Sequence, residues 1–163
     1  MTHRPVFHTL IAAAIAAAGV LAAADGARGA EPATPTTRSL SMTTVNEGVV
    51  NYIAAWNERD ARKRRALIAK TWTESGTYVD AHRHGEGHDA IDAMIDQAQR
   101  QFPGYALRLV SGIQSHNGHV RFSWGAGGAD SAPLYLGGTD FASFGADGRM
   151  QTVVGFVDAS PAH

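Results

Sequence analysis

The spacing of the apolar residues changes once along this chain, and that change limits what it can fold into. Up to residue 102 most of them recur at threes and fours; beyond residue 104 they alternate. Val45, Val49, Tyr52, Ile53 and Trp56 share one face of a helix over residues 43–58. Asp60 is a good N-cap for a second, shorter helix through Leu67 and Ile68. Ile91, Met94, Ile95, Ala98 and Phe102 mark a third amphipathic helix, which Pro103 and Gly104 end. One strand interrupts this half, over residues 72–80, where Thr77, Tyr78 and Val79 favour extended backbone. The Gly/His stretch at 81–88 reads as a loop.

The second half is strand-like. Tyr105, Leu107 and Leu109 alternate with Ala106, Arg108 and Val110. Asn117-Gly118 is the strongest two-residue hairpin signal, because both positions must take positive φ. Val120, Phe122 and Trp124 alternate outward from it, a loop fills 125–133, and strands over 134–144 and 150–157 flank Asp147-Gly148. Helices early and antiparallel strands late predict an α+β domain with the helices on one side of a curved, mostly antiparallel sheet. A twisted sheet bent around a long helix leaves a pocket at its open end.

The first 30 residues stand apart. A short basic start at His3 and Arg4, an Ala-rich apolar run over 10–24 and the small residues after it predict a secretory signal peptide, cleaved near 24–30. The alternative is an uncleaved anchor. Residues 31–42, with Pro32 and Pro35, read as a flexible linker, 43–158 as the domain and 159–163 as a tail. The expected location is periplasmic or secreted, with no membrane attachment after processing.

Charge and cysteine usage narrow the function. The formal net charge is −1, and no concentrated basic face suggests nucleic acid. Arg62-Lys63-Arg64-Arg65 reads as a solvated helix face. There is no cysteine, which excludes disulfides, a lipidated cysteine and thiolate metal sites. Asp80, His82 and His84 have the period of a strand face, but Gly85 and Gly87 favour a loop over a metal site. We expect no metal and no cofactor.

Several strings carry a resemblance. Residues 52–60 (YIAAWNERD), 76–80 (GTYVD), 85–91 (GEGHDAI), 139–141 (TDF) and 145–150 (GADGRM) occur in the order and spacing of the nuclear-transport-factor-2-like, or SnoaL-like, superfamily. The likeness covers residues 43–158 and implies a cone-shaped fold, an internal pocket for a small, mostly apolar ligand, and a homodimer. The ketosteroid isomerases within it are similar at particular positions: their helix-one tyrosine falls on Tyr52, their basic aspartate on Asp80 and their oxyanion-hole aspartate on Asp140. Ser115 to Gly118 also matches, whereas Ala81 stands where those enzymes have proline. The resemblance implies cofactor-independent proton transfer of isomerase, cyclase or dehydratase type. The alternative is a non-catalytic ligand-binding or dimerising accessory domain of the periplasm.

The residues themselves bear two readings each. Tyr52 lies on the apolar face of helix one, so its hydroxyl points inward and needs a partner; it is either a site residue or a core residue tied to the sheet. Asp80 ends a strand at the mouth of the sheet and either moves a proton or caps the next turn. Asp140 shares a strand face with Leu136, Ala142 and Phe144, where desolvation raises a carboxyl pKa. Raised far enough, it stays protonated and donates a hydrogen bond; otherwise it is a structural acceptor, or faces solvent if the register slips by one. Trp56, Tyr78, Arg121 and Val153 are the expected ligand-binding residues. Arg121 would hold an anion only if its strand face lines the pocket. His116 and His119 flank the hairpin tip, as an exposed pair or a dehydratase-like site.

Overall fold

Local capping chemistry sets the first helices. In the computed structural model, which describes residues 40–128 and 134–158, Ser41 caps α1 (Met42–Asn57) by accepting from the Thr44 amide. Asp60 caps α2 (Ala61–Thr71) by accepting from the Lys63 amide at 2.9 Å. The chain then enters β1 (Trp72–Val79) directly. The signal peptide, residues 31–39 of the linker, the 159–163 tail and part of the 125–133 loop lie outside the described residues.

The Gly/His stretch corrects the loop expected there. It forms β2 (His84–Glu86), antiparallel to β1, before α3 (Gly87–Gln101). The reason is non-local: the edge of β1 offers unpaired backbone groups, which Gly85 can approach closely. Then follow β3 (Ala106–Leu109), β4 (Gln114–His116), β5 (His119–Gly127), β6 (Leu134–Phe144) and β7 (Met150–Val157). Asn117 and Gly118 make the turn between β4 and β5 with φ of 48° and 75°. β5 runs on to Gly127, into the stretch read as a loop.

The described strands form one sheet in the order β2-β1-β7-β6-β5-β3, with β4 also pairing to β5. Only β1 and β7 pair in parallel; the other pairs are antiparallel. The helices cover the inner face. Val45, Val49, Tyr52 and Trp56 from α1, and Ile91, Met94, Ile95 and Ala98 from α3, pack against Tyr78, Val120, Phe122, Trp124, Ala142 and Val153. The fold is the expected α+β cone.

The basic run departs from its expectation. Arg64 is not on a solvated face but is buried, with 2 % of its surface exposed. Its Nε donates to Asp92 Oδ1 at 2.6 Å, and its Nη groups reach Gln99 Oε1 and Asp96 Oδ1. Asp92, Asp96 and Gln99 lie on one face of α3, at spacings of four and three. They convert one cation of a four-residue run into a buried link between α2 and α3.

Candidate functional site

Strand register aims the acids. Asp140 on β6 pairs with Phe122 on β5 and with Gly155 on β7, so it points at the helices with Phe122 and has no exposed surface. The Tyr52 hydroxyl donates to Asp140 Oδ2 at 2.6 Å, and Trp124 Nε1 donates to Oδ1 at 3.0 Å. The Trp124 indole reaches that position because it lies across Gly138. A Cβ there would meet Trp124 Cζ2 at 2.6 Å and the Phe156 carbonyl at 2.7 Å.

Asp80 sits at the end of β1 with its carboxyl closed in by donors. Oδ1 accepts from the amides of His82 and Arg83, both at 2.7 Å. Oδ2 accepts from the Tyr78 hydroxyl at 2.9 Å and faces Arg83 Nη1 at 3.5 Å. So Asp80 does cap the following turn, and it also lines the pocket. The two acids converge on Gly155: a Cβ there would lie 3.0 Å from Asp140 Oδ1, 3.0 Å from the Tyr78 hydroxyl and 3.4 Å from Asp80 Cβ.

Burial shapes the electrostatics. Desolvation lifts the Asp140 carboxyl to about pH 6, against the hydrogen bonds from Tyr52 and Trp124, which pull it down; the Asp80 charge adds to the rise. Burial, then the charge of Asp140, pushes the Tyr52 phenol well up. Tyr78 is pushed up by burial and by both acids. In this geometry Asp140 accepts on both oxygens, while burial pushes its carboxyl up, in the direction that its apolar strand face suggested.

The cavity beside this cluster has a volume of about 70 Å³. Tyr52, Trp56, Tyr78, Asp80 and Trp124 line its polar end, and Phe102, Tyr105, Leu107 and Leu136 much of the rest. Asp140 stands behind Tyr52 and Trp124, one hydrogen bond from the wall. The Trp56 Nε1–H is buried and finds no acceptor among the described residues, though it lies close enough to the Tyr52 hydroxyl to lower its pKa. Gln99, another wall residue, donates to the carbonyls of Trp56 and Glu58 and so ties the Arg64 network to the pocket.

Two expected ligand contacts are not on the wall. Arg121 lies exposed on the outer face of the sheet, over the Phe141 ring at 5.8 Å, because its strand neighbours Val120 and Phe122 face the helices. Val153 is buried in the core and does not reach the cavity. His116 and His119 sit exposed at the hairpin tip, ring centroids 6.4 Å apart, away from the pocket. Sequence reasoning passed over Trp124, Arg83 and Gln99. The shared parity of Trp124 with Phe122 was the one available signal.

The fold and this lined cavity define a pocket domain of the nuclear-transport-factor-2-like class. The sequence matches no family model and no curated protein. Among solved structures it is similar to a candidate isomerase of the SnoaL-like family from Agrobacterium tumefaciens, with 41 % identity and a TM-score of 0.68 over 72 % of this chain and 100 % of that one. The chain belongs to the SnoaL-like family. Its fold is shared at lower identity by a SnoaL-like polyketide cyclase candidate from Jannaschia (17 %, TM-score 0.58, 71 % of this chain and 86 % of that one). An NTF2-like protein from Exiguobacterium shares it too (19 %, TM-score 0.53, 69 % and 99 %).

Proposed function

We propose that this domain is a cofactor-independent proton-transfer enzyme of isomerase or cyclase type, acting on a small, mostly apolar carbonyl compound after export from the cytoplasm. The observation that carries the reading is that the Asp80 carboxylate and the Tyr52 hydroxyl, the latter backed by Asp140, line the same largely apolar cavity. Asp80 takes a proton from carbon next to the carbonyl. It does so through Oδ2, whose two partners, at 2.9 and 3.5 Å, stand further off than the two amides on Oδ1, both at 2.7 Å. The electron pair moves onto the carbonyl oxygen, which Tyr52 holds as an enolate, and Asp80 returns the proton to another carbon.

Asp140 sets which way the Tyr52 proton points. Ionised, it keeps the phenolic proton for itself. Protonated, it donates to the phenol oxygen and frees the O–H for the pocket. Burial, which raises the Asp140 carboxyl to about 6, supports such a switch by bringing its protonated form within reach. The Agrobacterium relative is itself described as a candidate isomerase, which supports the class.

The test is solvent exchange on an enolisable ketone such as 2-tetralone in D₂O. The wild-type domain is expected to speed deuterium uptake next to the carbonyl, and Asp80→Asn to lose about 10²–10⁴-fold of that rate. Equal rates for the two proteins would remove Asp80 as the base.

A second reading rests on the outer sheet face. Val79 pairs with Val154, Val154 with Phe141, and the Phe141 and Phe156 rings meet edge to face at 6.0 Å, all exposed. A contiguous apolar patch of this kind suits a homodimer. Phe156→Glu in light-scattering chromatography is expected to give the monomer mass, whereas a wild-type monomer would end this reading.

A further inference from the structure

The pocket has two chambers, and their shared wall carries the inference. The inner cavity is small, about 70 Å³. Outside it lies an open groove of about 830 Å³. Arg83, Phe102, Leu136 and Val157 line both, so they form the neck between them. A ligand too large for the inner cavity that reaches Tyr52 and Asp80 can extend through this neck, past Arg83.

The groove has a one-sided polar lining. Among the described residues its polar side chains are His82, Arg83, His84, Gln97 and Gln101, with no carboxylate, in a chain whose formal net charge is −1. Arg83 is loosely held. Of its five N–H donors, Nη1 faces Asp80 Oδ2 at 3.5 Å and Nη2 donates to Gln101 Oε1 at 3.2 Å, leaving at least two donors for a ligand. Its side chain is 20 % exposed, so it is wet enough to exchange partners and enclosed enough for an ion pair to count.

We propose that the ligand is an organic acid: a flat apolar body that enters the inner cavity, and one anionic group that stays in the groove on the Arg83 guanidinium. Arg83 is then a specificity-determining residue that selects anions over neutral compounds of the same shape. This rests on the pocket-binding reading above, and the test separates the two.

The probes are 8-anilinonaphthalene-1-sulfonate and N-phenyl-1-naphthylamine, which differ by one sulfonate and brighten on binding. The wild-type protein is expected to bind the anionic probe at least about tenfold more tightly, an advantage that falls with added salt. Arg83→Gln should remove the advantage and Arg83→Lys retain most of it, while Arg121→Gln on the outer face changes nothing. Equal wild-type affinities for the two probes would overturn the proposal while leaving an apolar pocket in place, and that comparison needs no variant. Loss of the anion preference in Arg121→Gln rather than Arg83→Gln would also overturn it, by locating the probe on the outer face. Binding of neither probe would also overturn the proposal, and the pocket reading then stands or falls on the ketone exchange above.

Discussion

Tyr52 and Asp140 are 88 residues apart in sequence and joined by a 2.6 Å hydrogen bond inside the domain. Tyr52 comes from the inner face of α1 and Asp140 from the inner face of β6, so the bond ties the helical layer to the middle of the sheet. It also puts a phenol on the cavity wall with a carboxyl directly behind it. The same pair therefore bears on stability and on chemistry, and the two can be measured separately.

Asp140 makes stability depend on pH in an unusual direction for an acid. Its folded pKa, about 6, lies above the value near 3.8 of an unperturbed aspartate. The folded state thus binds the proton more tightly than the unfolded state does. The contribution is fully present below about pH 4 and is lost as pH rises through about 6. A difference of this size is on the order of 3 kcal/mol. Chemical denaturation between pH 4 and 7 is expected to show the wild type losing stability relative to Asp140→Asn, whose side chain does not titrate. Parallel curves for the two proteins would contradict the assignment.

The proposed proton switch gives activity the same sign. Tyr52 is free to hold an enolate when Asp140 is protonated, so kcat/KM for an exchange substrate should fall as pH rises through about 6. Asp140→Asn should flatten that limb. A wild-type rate that climbs across this range would mean that Asp140 does not direct the Tyr52 proton.

Gly155 is the point where both acid pairs converge. In Gly155→Ala the new methyl lies 3.0 Å from Asp140 Oδ1 and from the Tyr78 hydroxyl, and each of those atoms is held by a hydrogen bond. The expected cost is about 1–3 kcal/mol. Adding Tyr78→Phe removes one of the two contacts, so a double-mutant cycle should show the pair costing less than the sum of the singles.

Arg64 and Arg65 are neighbours in sequence with opposite expectations. Arg64→Met leaves Asp92 buried beside a lost partner and should destabilise by about 3–5 kcal/mol. Arg65 is 55 % exposed and also reaches Asp92, and Arg65→Met should cost about 1 kcal/mol or less. Urea melts of the two variants check this. Similar midpoints would return Arg64 to the solvated face that its sequence suggests.

That contrast shows what the sequence exposes and what it hides. The helices, the Asn117-Gly118 turn and the order of the strands follow from local periodicity, and so does the inward direction of Tyr52, which shares its helix face with Val45, Val49 and Trp56. The parity of β5 separates Arg121 from Phe122. Which parity faces the helices depends on the pairing of Phe122 with Asp140, a register between two strands that neither strand's own pattern fixes. The placement of Trp124 across Gly138 depends on the same register. Arg64 was hidden by its charged neighbours, because only the packing of α2 on α3 chooses one arginine of the run. β2 was hidden because glycine and histidine carry little strand propensity, and its partner supplies the order.

The most direct test of the account is the titration of the Asp140 side chain, followed by carboxyl-carbon NMR in the wild type and in Tyr52→Phe. The account predicts a midpoint near pH 6 in the wild type. Because the Tyr52 hydrogen bond pulls that value down, it also predicts an upward move in the variant. A wild-type midpoint in the ordinary aspartate range, or a variant midpoint that stays put or falls, would contradict a buried Asp140 held by Tyr52.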